Sequence, residues 1–87
     1  MAYTIFFKES AQRELGDLDK PIRKRIAKKI DSLAADPRPP GAEPLKGGEG
    51  EFKIRVGDHR IIYRVDDQSV TVLVIRIGHR GDVYRAR

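Results

Sequence analysis

The sequence predicts an α+β fold in the order β-α-α-β-β-β, an antiparallel sheet with an α-helical hairpin packed on one face. Three observations predict it. Residues 51–56, EFKIRV, alternate strictly, with Phe52, Ile54 and Val56 on one side and Lys53 and Arg55 on the other; this is the period of a half-buried strand. Ile22, Ile26, Ile30 and Leu33 recur at spacings of three and four, the stripe of an amphipathic helix. Short turn segments separate three β-rich runs in the C-terminal half, which makes those runs an antiparallel meander. The isoleucine stripe must be buried, and one face of the sheet is the surface available for it. The other face is then open to a ligand.

The elements follow in order. Residues 3–8, YTIFFK, are β-branched and aromatic and predict the first strand. Ser10 is the expected N-cap of a short helix running to about Leu18, weakened near its end by Gly16. Asp19 is the expected cap of the second helix, with Pro21 tolerated in its first turn. That helix carries Lys20, Arg23, Lys24, Lys28 and Lys29 away from its apolar stripe. It should stop at Asp36–Pro37, because the residue before proline is pushed out of the α region. Residues 37–50 hold four of the five prolines and four of the eight glycines and read as one long loop. Strands then follow from 51, from Arg60 and from Val70, with turns at Gly57–Asp58 and Asp67–Ser69. The run VTVLVIRIG is apolar on both faces for most of its length and should be a central strand.

Composition bounds the rest. At 87 residues the chain should be a single domain spanning 1–87, because neither side of the loop is long enough to fold alone. It has no cysteine, which excludes a disulfide framework, thiolate catalysis and cysteine metal sites. No leader pattern opens the chain and no apolar run approaches a membrane span; a cytoplasmic protein without membrane contact is expected. The formal net charge of +5 suits a polyanionic partner such as nucleic acid, although a solvated basic surface is the common alternative.

The charge is concentrated where chemistry is possible. Lys53 and Arg55 point from one strand face, and Arg60 begins the next strand across a tight turn. Opposite residues in a hairpin lie about 5 Å apart, so like charges there cost stability unless an anion is held. Arg80 ends the long strand, Tyr84 follows four residues later, and Lys46 precedes the hairpin. Arginine offers a rigid fork to phosphate oxygens and lysine a point charge; tyrosine and arginine planes stack on unpaired bases. Such a cluster fits phosphoryl transfer by a 2′-hydroxyl, in which each phosphorane-stabilising donor contributes about 2.7–4 kcal/mol. A charged, solvated β-face without chemistry fits the spacing as well. Tyr63 shares a face with Ile61 and Val65 and should be core, as should Tyr3. His59 and His79 form no metal-ligand pattern, His79 reads as an exposed loop-end residue with assistance to Arg80 as the alternative, and Asp66 and Asp67 are ordinary turn residues. The basic helix face from Arg23 to Lys29, with Lys24 and Lys28, is either solvated or grips RNA backbone.

The segments PLKGGEGEFKIRVGDHRIIYRV and VTVLVIRIGHRGDVYR, with the N-terminal AYTIFFKESAQRELGDLDKPIRKRIAKKI, resemble the RelE branch of the RelE/ParE toxin superfamily over nearly the whole chain. The resemblance implies a RelE-like, microbial-RNase-like fold and a ribosome-dependent endoribonuclease. Such toxins cut mRNA in the ribosomal decoding site by 2′-hydroxyl attack, without a metal or other cofactor. Lys53 matches a catalytic lysine, Arg60 the arginine holding the scissile phosphate, Arg80 an arginine near the leaving group, and Tyr84 a tyrosine that stacks on the codon base. Lys46 matches an accessory basic position. Arg55 stands where relatives often carry a second lysine, and this departure matters. An arginine stays protonated at all useful pH, so proton transfer must fall to Lys53, Tyr84, a ribosomal group or water. The resemblance also implies a RelB-like antitoxin, acidic and partly disordered, through which alone operator DNA would be bound. The alternative within the superfamily is a ParE-type toxin that inhibits DNA gyrase and does not cut RNA; it would not need Lys53, Arg60 or Tyr84.

Overall fold

The computed structural model describes residues 2–79. The first strand, β1 (Thr4–Phe7), turns Ile5 and Phe7 to the core and leaves Phe6 half exposed. Its ladder continues until the Lys8 N–H donates to the Val74 carbonyl at 2.9 Å. The chain therefore enters α1 (Glu9–Gly16) with Lys8 at the cap position, and Ser10, the expected cap, lies inside the first turn. Helix α2 (Lys20–Ser32) starts after Asp19, which holds the N-cap position but makes no side-chain cap bond, and it accommodates Pro21 in its first turn. It ends earlier than the Asp36–Pro37 stop. Leu33 through Ala35 continue as turns, with Ala34 N–H to Asp31 O at 3.1 Å and Ala35 N–H to Ser32 O at 3.2 Å.

Four more strands follow: β2 (Glu43–Pro44), β3 (Glu51–Val56), β4 (His59–Asp66) and β5 (Thr71–His79). They form one sheet with β1 in the order β1-β5-β4-β3-β2. From β2 to β5 every pairing is antiparallel, as the short turns require. The expected all-antiparallel sheet is corrected at one edge, where β1 pairs with β5 in parallel, so the sheet is mixed. The path from β1 to β5 passes through both helices and three strands, and parallel neighbours need such a long crossover. As its composition predicts, β5 is an interior strand.

The 37–50 segment is only partly the loop that its prolines and glycines suggest. Glu43 and Pro44 pair with Lys53 and Phe52 to make β2, and a turn at Leu45–Gly48 closes that hairpin. Gly57 opens the two-residue β3–β4 turn with φ of 60°, and Asp58 keeps a negative φ. Glycine at the first turn position matches the right-handed twist of the flanking strands.

A register shift between Ile62 and Tyr63 leaves Ile75 as an extra residue in β5. This bulge switches the alternation, so Val72, Val74 and Ile77 all reach the same core. Ala11, Ile26, Ile30 and Leu33 from the helical segments pack there against Ile54, Ile61, Tyr63 and Val65. Tyr63 is fully buried, as expected, and its hydroxyl donates to the Pro37 carbonyl at 2.8 Å. Tyr3 lies only partly in the core. Among the described residues, no helix is long and apolar enough to cross a membrane.

Candidate functional site

The β3–β4 hairpin presents its even-numbered β3 residues and odd-numbered β4 residues to the helices, so Lys53, Arg55 and Arg60 occupy the opposite face. Arg55 and Arg60 are direct register partners. Lys53 stands between Ile62 of β4 and Glu43 of β2. Together with Gly41, these side chains line a cavity of about 330 Å³. The structure thus brings together three of the residues picked out from the sequence. It also adds an acid that sequence reasoning missed: Glu43, whose Oε1 lies 3.6 Å from Lys53 Nζ. The signal was hidden because β2 is two residues long and contains a proline, so nothing local marks it as a strand.

Arg55 is exposed, and its Nε donates to the Gly57 carbonyl at 3.0 Å. Its guanidinium is thereby tied to the turn. Lys53 and Arg60 are partly buried, and partial burial strengthens their attraction for an anion. Glu43 is two-thirds exposed, so its ion pair with Lys53 stabilises the fold little. Its importance is chemical. It places an acceptor beside the three cationic side chains of the cavity.

The remaining sequence candidates are distributed differently. Lys46 is exposed in the β2–β3 turn. That turn adjoins Glu51, four residues before Arg55, or about 13 Å along the strand, and Lys46 is absent from the cavity wall. Arg80 and Tyr84 lie outside the described residues. On α2, the Arg23 guanidinium turns back to the Leu18 carbonyl at 3.2 Å, and Lys24 is exposed. Lys28 lines a separate groove with Arg25 and Lys29, which belong to the same basic stretch from Arg23 to Lys29.

Polar contacts around the sheet hold this face in place. Asp67 accepts from the Tyr3 hydroxyl at 2.7 Å and from Arg38 at 2.9 Å, while Arg38 also lies over the Phe52 ring. Arg38 and then Tyr3 hold the Asp67 carboxyl below the usual carboxylate range, and the same Asp67 bond raises Tyr3. Bonds from Ser69, then Gln68, depress Asp66. Asp66 is thus the ordinary turn residue expected, whereas Asp67 does more, tying the β4–β5 connection to Tyr3, just before β1, and to Arg38 of the 37–50 segment. Beyond the end of β1, Glu14 of α1 accepts from the Ile77 N–H at 2.9 Å and from Arg76 Nε at 3.1 Å. It satisfies a strand edge that would otherwise be unpaired. His59 and His79 are register partners with rings 5.3 Å apart, edge to face. Among the described residues, no three histidine, aspartate or glutamate side chains converge as metal ligands.

Known proteins share this fold. Residues 5–84 match the family described as ParE toxin of type II toxin–antitoxin system, parDE. The chain is 34% identical over 86 residues to Toxin RelG of Mycobacterium tuberculosis, covering 98% of this chain and 99% of that protein. It is also 34% identical over 88 residues to mRNA interferase toxin RelE of Escherichia coli, covering 97% of this chain and 92% of that protein. Among solved structures, the isolated Escherichia coli RelE toxin superposes with a TM-score of 0.81 at 32% identity, covering 95% of this chain and 92% of that one. A chain of a Mycobacterium tuberculosis RelBE toxin–antitoxin complex superposes with a TM-score of 0.80 at 32% identity, covering 92% of this chain and 100% of that one.

Proposed function

The chain belongs to the ParE toxin family of type II toxin–antitoxin systems and is a toxin of the RelE type, and from that premise we propose that it is a metal-independent endoribonuclease that cuts mRNA on the ribosome. The observation that carries this reading is the cavity joining Lys53, Arg55 and Arg60 to Glu43.

In the proposed reaction the 2′-hydroxyl attacks the adjacent phosphorus. The O–H bond breaks as the new P–O bond forms, and the P–O5′ bond then breaks to leave a 2′,3′-cyclic phosphate. Arg55 and Arg60, facing each other across the hairpin, take the charge that grows on the phosphorane oxygens. Glu43 accepts the 2′-hydroxyl proton, a role that Arg55 cannot fill. Lys53 orients that carboxylate and supports the same side of the phosphate, since the two groups are 3.6 Å apart. In-line displacement puts the leaving oxygen opposite the attacking one, so its proton comes from elsewhere. By resemblance, Tyr84 supplies or relays that proton while stacking on the base, and Arg80 steadies the departing oxygen. Lys46, Arg23, Lys24 and Lys28 are placed by the same reading among the contacts to RNA backbone.

The partner follows from the same family. RelE chains occur in solved complexes with RelB antitoxins, and a RelB-like antitoxin is the partner we assign to this toxin. Its acidic character would complement the +5 charge. The cytoplasm, where ribosomes translate, is the site of action.

The family description as a ParE toxin favours one second reading, inhibition of DNA gyrase without RNA cleavage. Side-by-side assays separate the two. Purified protein is added to ribosomes programmed with a defined codon and, separately, to gyrase in a supercoiling reaction. Codon-specific cleavage with normal supercoiling supports the nuclease; blocked supercoiling with intact mRNA supports the other reading.

A further inference from the structure

We propose that the groove between α2 and the β3–β4 turn is a second RNA-binding surface, one that carries the phosphodiester backbone away from the cleavage cavity. This inference rests on the nuclease reading above and extends it to a surface outside the reacting groups.

The groove has a volume of about 500 Å³, and its cationic wall is Arg25, Lys28, Lys29 and Arg55. Arg25, Lys28, Lys29 and Ser32 fall on one helical face by their spacing of three and four. Like charges so placed weaken a helix, which a ligand of opposite sign would offset. Among the described residues, none of the four cations forms an ion pair. The Arg25 guanidinium lies against the turn, within 3.6 Å of the position a Cβ on Gly57 would take. It marks the rim over which a strand would pass.

Continuity points to RNA as the occupant. Arg55 lines both this groove and the cleavage cavity, so the two share one cationic residue. Arg25 and Lys29 lie about 6 Å apart along the helix axis and lead away from that junction. An acidic protein segment would use apolar or aromatic anchors. Among the described residues, Val56 is the only large apolar one on the wall. A chain of phosphates needs cations in a row and no such anchor.

The test is fluorescence anisotropy of a labelled oligouridylate with the full chain, between about 50 and about 200 mM salt. Arg25→Gln/Lys29→Gln is compared with Arg13→Gln/Lys20→Gln, which removes the same charge from exposed positions outside the groove. Circular dichroism confirms folding of both. The groove variant should bind about tenfold more weakly at the lower salt, with a log–log salt slope reduced by about 1.4, or about 0.7 for each lost phosphate contact on a single strand. The control variant should match the parent protein. Equal behaviour of the two variants, or no binding by the parent, overturns the proposal. So does loss of oligoglutamate binding with oligouridylate binding kept, which would assign the groove to an acidic protein segment. An unchanged slope alongside codon-specific cleavage removes the groove alone. A reduced slope without any cleavage removes the nuclease reading alone.

Discussion

Arg55 and Arg60 stand directly opposite each other in the β3–β4 ladder, on the face turned away from the helices. Two guanidinium groups at such a position oppose folding, and a directly opposed cross-strand pair changes stability by about 0.2–1 kcal/mol. Arg55→Thr removes the repulsion and introduces a good strand former. Its unfolding free energy should rise by up to about 1 kcal/mol in urea, while single-turnover cleavage falls by about 10²–10³. A variant that loses stability and keeps its activity would contradict the view that these charges are spaced for a phosphate.

Glu43→Gln retains shape and hydrogen bonding but cannot take a proton. Cleavage should fall by about 10²–10⁴, while affinity for uncleaved RNA changes by no more than about twofold. Equal loss of binding and rate would instead make Glu43 a group that only positions Lys53.

The buried Tyr63 hydroxyl gives a stability prediction. Tyr63→Phe leaves the Pro37 carbonyl without its 2.8 Å donor and should cost about 1–3 kcal/mol. Burial pushes the Tyr63 phenol from 10.0 up to about 12. A raised folded-state value contributes stability that is complete below pH 10 and is lost as pH climbs towards about 12. Alkaline denaturation followed by circular dichroism should therefore show a limb in the parent protein that is reduced in Tyr63→Phe.

Asp67 governs the acid side. Its carboxyl is held below its ordinary value of 3.8, first by Arg38 and then by Tyr3. A depressed value contributes stability that is present above pH 3.8 and is lost as pH falls through the folded-state value. Asp67→Asn should lower stability near neutral pH and flatten the acid limb of urea midpoints measured below about pH 4. An unchanged limb would show that Asp67 is not coupled to folding.

Much of this architecture is legible in local sequence. The alternation around Phe52, Ile54 and Val56 and the stripe of Ile22, Ile26 and Ile30 report directly which side of each element is buried. Because strand faces alternate, Lys53 and Arg55 could be assigned to the open face, and Arg60 joined them once the Gly57–Asp58 turn was recognised. Tyr63 could likewise be assigned to the core.

Features set by pairing at a distance were not legible. Glu43 enters the cavity only because β2 docks on the far side of β3. Lys46 precedes β3 in sequence, yet the hairpin turn carries it to the other end of the strand. The β5 bulge at Ile75 is a property of the β4–β5 register, and no single residue announces it. Ser10 looks like a cap, but the parallel β1–β5 ladder brings the helix start forward to Lys8. Arg25 looks like any other cation on a basic helix until Gly57 packs beside it.

The central claim is that the Lys53, Arg55, Arg60 and Glu43 cavity cleaves mRNA on the ribosome. Its most direct test is single-turnover cleavage of an mRNA on programmed ribosomes, with the new ends identified chemically, by the parent protein and by Arg60→Ala. The account predicts a cut within the decoding-site codon that leaves a 2′,3′-cyclic phosphate, slowed by about two orders of magnitude or more in the folded variant. Cleavage of equal rate by Arg60→Ala, or no cleavage by the folded parent protein, would contradict it.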